Sequence, residues 1–281
     1  TSSLPPGTMR LRTSASASST DVSWVMSQRY LRGPRPVYPR CVISVIVPVR
    51  DEEPSVAPLD RELAEALDSL GAWEVVYVDD GSLDQTFAEL VTLHAAQANV
   101  RVVRLRRRLG KAAALAAGFS EASGEIIVTI DGDLQDDPAE IPRLLAKLEE
   151  GYDLVSGWRK DRKDNRLTRT IPSNIANGLI STVTGVHLHD FGCTLKAYRR
   201  EVLGGFRLYG EMHRFIPVFA HSVGARITEI PVSHHPRQFG KANYGLDRTA
   251  KVILDLFTVK FLLEYSHKPI RLFGGTGVGL M

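Results

Sequence analysis

The sequence predicts an α/β protein with a mostly parallel central sheet flanked by helices. Two observations carry the prediction. Apolar runs rich in β-branched residues recur along the first 160 positions, and stretches with helical patterning separate them. Strands buried on both faces read as continuous apolar runs, and their alternation with helices marks a parallel sheet.

The elements support this in order. VISVIVPV opens the sheet and gives way to a helix from Ser55 to Leu70. WEVVYV follows, then a helix from Asp84 to Ala96, where Ser82 and Gln85 have the spacing of a capping box. VRVVRL alternates arginines with apolar residues, as an edge or half-buried strand does, and precedes an alanine-rich helix from Lys111 to Ser120. EIIVTI leads to a helix from Pro138 to Glu150, with Asp137 placed as its N-cap. DLVSGW is the fifth run. After about Thr168 the pattern turns α+β-like, with a helix from Ser173 to Thr184, strands at TLKAYR and ARITEIPV, and the loop HHPRQFGKANYG. No internal repeat is apparent.

With 281 residues, 43% hydrophobic and 24% charged, the chain can bury a sizeable core. The net charge of +3 is unevenly spread. Residues 1–40 hold six arginines against the single acid Asp21, in a Ser- and Pro-rich setting that reads as a disordered tail. The remainder is close to neutral, which argues against a nucleic-acid partner. Two cysteines, Cys41 and Cys193, provide neither a disulfide framework nor a four-thiolate zinc site, and a reducing compartment is the natural reading. No apolar segment follows the early basic residues as a signal peptide requires.

Residues 41–232 therefore form the expected domain, and 233–266 a loop and a C-terminal helix. The helix KVILDLFTVKFLLEY is interrupted by Asp255 and Lys260, and suits a membrane surface or a core position better than a span. After it, 267–281 turns apolar again and is expected to begin a transmembrane segment in a longer chain, being shorter than the ~20 residues a span needs.

Ligands of such sheets bind beyond the carboxyl ends of the strands. Three of these ends are acidic: PVRDEE, DDGSLDQT and DGDLQDDP. Capping accounts for Ser82, Asp84 and Asp137, but not for Asp79, Asp80, Asp131 or Asp133. DGDLQDDP packs four carboxylates into seven residues, a crowding that calls for positive charge among them. Asp131 and Asp133 flank a glycine, so both can point to one side of the turn. A hard divalent cation takes such ligands, and Mg²⁺ is often held by one or two carboxylates plus substrate phosphates. A lone DxD is more often a solvated acidic loop; its neighbours in the sequence decide.

Those neighbours come in a telling order: PVRDEE, VDDGSLDQT, LGKAAALAAGF, DGDLQDDP, DFGCTLKAYRREVL, LYGEMHRFIPVFA and HHPRQFGKANYGLDRTAKVILDLFTVKFL. From about Val42 to Leu263 the chain resembles the family-two glycosyltransferases of the GT-A fold, and specifically the polyprenyl-phosphate branch related to dolichol-phosphate mannosyltransferase. The resemblance implies a membrane-associated inverting enzyme. It would move a sugar from a UDP- or GDP-linked donor to a polyprenyl (undecaprenyl or dolichyl) phosphate at the cytoplasmic face, with Mg²⁺ or Mn²⁺ as cofactor. It also implies roles by position. Pro48, Arg50, Glu52, Asp79, Asp80, Lys111 and Asp131 match the nucleotide-sugar site, and Asp131, Asp133 and Gln135 the metal group. Arg159, Arg169, Ser173, Arg237 and Lys241 match the acceptor-phosphate side, and Asp190 with Asp133 and Arg169 the catalytic centre, Asp190 as base or organiser. Two positions depart from relatives: Arg108 stands where asparagine is common, and Ala242-Asn243 where Ser-Lys is common, with Lys241 beside them.

The phosphate monoester of such an acceptor is largely dianionic at neutral pH and needs no strong base. It needs screening from the donor's diphosphate, a task for the cation, Lys111 and the arginines. Other readings weighed less: a family-two enzyme with a glycolipid or polysaccharide acceptor, and a non-catalytic module gripping anionic lipid or nucleic acid through RLRRRLGK. A processive polysaccharide synthase is disfavoured because no QxxRW-like motif is present. LGKAAALAAG lacks P-loop spacing, GGTGVG has no following helix, and His187, His189, His234 and His235 match no zinc motif. A homo-oligomer is compatible with the sequence.

Overall fold

The structure, a computed structural model, describes residues 43–160, 171–204, 207–239 and 246–265 with positions 270 and 273; for 171–175, 246–251 and 253 it describes the backbone alone. The expected tail at 1–40, Arg169, Lys241 and, apart from positions 270 and 273, the expected transmembrane start at 267–281 lie outside the described residues.

The first half alternates strands and helices: β1 (Ile43–Val49), α1 (Glu53–Leu67), β2 (Trp73–Asp79), α2 (Thr86–Ala96), β3 (Val100–Arg104), α3 (Lys111–Glu121) and β4 (Ile126–Thr129). A 3-10 turn at Pro138–Glu140 runs into α4 (Ile141–Glu149), followed by β5 (Leu154–Trp158) and α5 (Ile171–Thr184). Then come β6 (Lys196–Arg199), α6 (Ile216–Ser222), β7 (Ile227–Pro231) and α7 (Leu246–Glu264). The seven strands form one sheet in the order β3-β2-β1-β4-β6-β5-β7. Pairing is parallel except around β6, which runs antiparallel to both β4 and β5.

Each layer follows from composition. Valines and isoleucines of the central strands are fully buried on both faces. One face packs on Leu59, Leu63 and Leu67 of α1, Leu90 of α2 and Leu144 and Leu148 of α4. On the other, Ala114, Leu115 and Ala117 let α3 lie close against the sheet. A third cluster joins Ile180 of α5, Phe215 before α6, and Val252, Leu256 and Val259 of α7, at helical spacing. No helix among the described residues is long and apolar enough to cross a membrane.

The order β2-β1-β4 reverses at β1, and such a switch point opens a crevice at the strand ends. The ends of β1 and β4 flank that crevice. Pro48 lacks an N–H, yet sits in a central strand because β4 pairs with β1 only as far as Ile46↔Thr129. The acidic ends thus lie where the sheet itself makes room for a ligand.

One local expectation changes, and one element is new. Ser82 and Gln85 form no capping box: α2 begins at Thr86, and Asp84 accepts from the Thr86 backbone N–H at 3.0 Å. The Ser82 hydroxyl is drawn across to β1 instead, where it accepts from the Asp51 N–H at 3.0 Å. The short helix α6 also had no separate signal, because its seven residues include Pro217 and carry no repeating polar face.

Candidate active site

The turn after β4 builds the centre of the site. A Cβ on Gly132 would lie 2.6 Å from Val49 Cγ1, so only glycine lets the turn press on β1 while Asp131 and Asp133 rise to either side. Leu134 then takes a left-handed φ of 58°, costly for a branched side chain and held by its burial.

Three cations stand among the carboxylates, as their crowding required. Lys111 Nζ lies 2.5 Å from Asp131 Oδ1. Arg237 reaches Asp133 Oδ2 at 2.5 Å and Glu52 Oε1 at 3.5 Å, bridging the β4 and β1 ends. Arg159 grips Asp190 through two bonds, at 2.7 and 3.0 Å. Lys111 is the first residue of α3. It reaches the rim because Asp80 accepts the Leu109 and Gly110 N–H groups and fixes the preceding loop.

Arg237 arrives from a distant loop along a visible route. Ser233 donates to Glu140, His234 bridges Asp136, and His235 N–H donates to the Gln135 carbonyl at 2.8 Å. The loop therefore runs alongside the β4 turn and delivers its arginine onto Asp133.

The charges set the titration. Burial opposes ionisation of Asp131, yet Lys111 and the Thr194 hydroxyl hold its carboxyl below the usual range. Asp133 is pushed up by burial and by Asp131. Glu52 rises to about 7 through burial and Asp133, and Asp136 to about 7 through burial and Asp131. Burial works against the charge on Arg159, but Asp190 lifts its pKa well above the ordinary value.

Other expected site residues fall into place unevenly. Arg50 and Pro48 line the β1 end, Arg50 paired with Asp51 at 3.5 Å. Asp79 is fully buried, accepting from the Ser82 N–H and facing Arg104 at 3.2 Å. Turn-bracing thus accounts for Asp79 and Asp80, which capping left unexplained. Gln135 stands at the rim, and Ser173 lies in the first turn of α5. Four residues that the sequence had not singled out join the site: Thr194, Lys196, Asp136 and Arg214. A Cβ on Gly192 would lie 3.2 Å from Arg214 Nη1 and 3.3 Å from Arg159 Nη2, so glycine lets two guanidinium groups approach one turn. For Thr194 and Lys196 the signal is the antiparallel register of β6 on β4, which is not local in sequence; Asp136 lies within DGDLQDDP itself, and Arg214 in the turn before α6.

Do these residues suit a divalent cation? Among the described residues no cage of three or more His, Cys, Asp or Glu is assembled. Two carboxylates and an amide on one turn, currently neutralised by Lys111 and Arg237, instead fit an ion that completes its shell with substrate oxygens.

A mostly parallel sheet flanked by helices, with acidic strand ends meeting at its switch point, is a GT-A-like fold. Residues 44–206 match glycosyl transferase family 2, and the chain belongs to that family. It is 45% identical to the dodecaprenyl-phosphate galacturonate synthase of Rhizobium johnstonii, over 85% of this chain and 72% of the relative. It is 42% identical to the undecaprenyl-phosphate 4-deoxy-4-formamido-L-arabinose transferase of Salmonella paratyphi B, over 84% and 71%. Both names fall in the polyprenyl-phosphate branch expected from the sequence. In fold it is similar to glucosyl-3-phosphoglycerate synthase of Mycobacterium tuberculosis in complex with Mn²⁺, uridine diphosphate and phosphoglyceric acid. That match has a TM-score of 0.61 at 22% identity and covers 78% of each chain. The same protein with Mg²⁺ and uridine diphosphate gives a TM-score of 0.58 at 21% identity over 78% and 79%.

Proposed function

We propose that this glycosyltransferase transfers a sugar from a nucleotide diphosphate donor to the phosphate of a polyprenyl lipid, with inversion at the anomeric carbon, at the cytoplasmic face of a membrane. The carrying observation is that the turn Asp190–Thr194 joins two sites for anions. Through Thr194 it touches Lys111 and Asp131, and through Asp190 it holds Arg159.

On the donor side, Asp131, Asp133 and Gln135 would hold Mg²⁺ or Mn²⁺, which when bound supplies positive charge to the leaving diphosphate. Lys111 binds diphosphate oxygens, and Pro48, Arg50, Glu52 and Asp80 border the nucleotide. On the acceptor side, Arg159, Arg237 and Arg214 present guanidinium groups, whose planar fork matches phosphate oxygens. Arg169, Ser173 and Lys241 are assigned there by family position. The acceptor dianion attacks the anomeric carbon directly, so no side chain has to remove its proton. Asp190 orients Arg159 instead.

The lipid tail needs an apolar approach. Leu254 and Phe257 on α7 and Leu179 on α5 are 66%, 71% and 40% exposed, beside the packed stripe of Val252, Leu256 and Val259. This supports α7 lying in a membrane interface. Cys193, a buried free thiol pushed up to about 12 by burial, is at home in a reducing compartment.

The test is a panel of UDP- and GDP-sugars with Mg²⁺ or Mn²⁺, with and without undecaprenyl phosphate, following release of nucleoside diphosphate. Release that depends on both metal and lipid phosphate is expected. Lipid-independent transfer to a glycan would assign a different acceptor, and no release from any donor would overturn the reading.

A further inference from the structure

Thr194 touches both members of the donor-side ion pair. Its hydroxyl accepts from Lys111 Nζ at 2.5 Å and donates to Asp131 Oδ2 at 2.9 Å, while Lys111 also meets Asp131 Oδ1. A hydroxyl carries one proton, so the direction of the ring is set: ammonium to hydroxyl to carboxylate. The hydroxyl is also held in place. The Thr194 carbonyl accepts from Thr129 Oγ at 2.6 Å. Beneath it, the buried Lys196 ammonium donates to the carbonyls of Phe191 and Cys193, closing the turn from below. Thr194 itself is only 7% exposed.

Each Asp131 oxygen therefore already has a partner, Oδ1 the ammonium and Oδ2 the hydroxyl. A carboxylate keeps further lone pairs, but the like charge of the Lys111 ammonium opposes a divalent ion on Asp131, and the flexible lysine stem rather than the buried hydroxyl is the partner that can give way. The ammonium has three donors, so on leaving Asp131 it can keep its bond to Thr194 and turn the other two toward phosphate oxygens.

Resting on the donor-site reading above, we propose that Thr194 is a positioning residue, the pivot on which Lys111 passes from Asp131 to the donor's diphosphate as the metal arrives. It acts through Lys111 and Asp131 and need not touch substrate. Without the hydroxyl, displacing Lys111 strands its ammonium, and Asp131 loses the bond that aims it.

The experiment measures Mn²⁺ binding to the purified chain, by the free-ion electron paramagnetic resonance signal, with and without uridine diphosphate. Thr194→Val and Thr194→Ala are made in two backgrounds, wild type and Lys111→Met, with Thr194→Ser as the conservative control. With Lys111 present, losing the hydroxyl is expected to weaken Mn²⁺ binding about tenfold, the scale of a hydrogen bond to a charged group. With Met at 111 the loss shrinks to within about threefold, a non-additivity that reports coupling through the lysine. Thr194→Ser restores binding. Equal losses in both backgrounds, or none in either, overturn the pivot while leaving the metal site standing. Failure of the wild type to take up Mn²⁺, even with uridine diphosphate, overturns the pivot and the donor-site reading together.

Discussion

Arg159 meets Asp190 through two bonds, with 13% and 4% of their side chains exposed; Lys111 meets Asp131 at one oxygen, with 24% and 31% exposed. The first pair is sealed and doubly bonded. Separating it leaves a buried charge uncompensated, which costs several kcal/mol. The second stands at the rim, where solvent screens it and an incoming ion or phosphate can replace either partner. One turn thus carries a fixed end and an exchangeable end. On the roles proposed above, a transferase that passes a charged leaving group out while keeping an arginine aimed at the acceptor phosphate is served by both.

The widest separation between the two ends comes from truncating their acids. Asp131→Ala and Asp133→Ala are expected to lower turnover by about 10³-fold, as removal of transition-state charge stabilisation does, with the melting temperature nearly unchanged. Asp190→Asn is expected to behave differently, destabilising the fold by about 3 kcal/mol through the stranded Arg159, visible in urea unfolding. If Asp190→Asn unfolds like wild type, binds the lipid phosphate normally and yet loses turnover, proton transfer replaces the scaffold role and the contrast fails.

The exchangeable end was the more legible in sequence. Asp131 and Asp133 stand directly at a strand end, and Glu52 in the acidic end of another, and strand ends can be read from apolar runs; Lys111 was marked by the family resemblance. Their convergence followed once a parallel sheet was expected. The fixed end was harder. Asp190 was marked by its motif, but its partnership with Arg159 depends on β6 entering antiparallel between β4 and β5, a non-local pairing with no periodic signature. Thr194 and Lys196 were invisible for the same reason: a threonine and a lysine near a strand start become a pivot and a clamp only in that register. Ser82 shows the converse error. Its spacing was right for a cap, but a stronger use across the crevice took it.

Arg237 sharpens the comparison at a smaller scale, since it stands on Asp133 where a cation is proposed to bind. Arg237→Ala is expected to tighten Mn²⁺ binding in the absence of nucleotide by about tenfold, by removing a competing charge, while lowering turnover. Titration calorimetry beside the release assay checks the opposed signs. A loss of both would make Arg237 part of the metal site's scaffold. On α7, Leu254→Ser with Phe257→Ser is expected to reduce co-sedimentation with anionic vesicles about tenfold, given the apolar area withdrawn. Unchanged co-sedimentation would remove α7 from the membrane contact.

The finest test uses pH. Glu52 rises from 4.5 to about 7 in the folded chain, first through burial and then through Asp133. Between those values the folded state holds a proton that the unfolded chain has released, so stability falls as pH rises through this window. The full effect is present above about 7, where folding must bury the charged form. Asp136, raised to about 7 by burial and Asp131, has the same sign. The metal-free protein is therefore expected to lose stability on the order of 1 kcal/mol from Glu52 between pH 5 and 8, allowing for relaxation of the rim. Glu52→Gln removes that share of the slope and leaves the shares from Asp136 and Asp133, both also raised by burial and Asp131, which unfolding curves at several pH values resolve. Mn²⁺ should flatten the slope in the wild type, because a bound dication favours these carboxylates as anions. The Arg159 guanidinium, lifted well above its ordinary value by Asp190 against the cost of burial, titrates outside this window. A slope that persists unchanged in Glu52→Gln and with Mn²⁺ would place the titrating groups elsewhere, and the exchangeable end would lose its electrostatic signature.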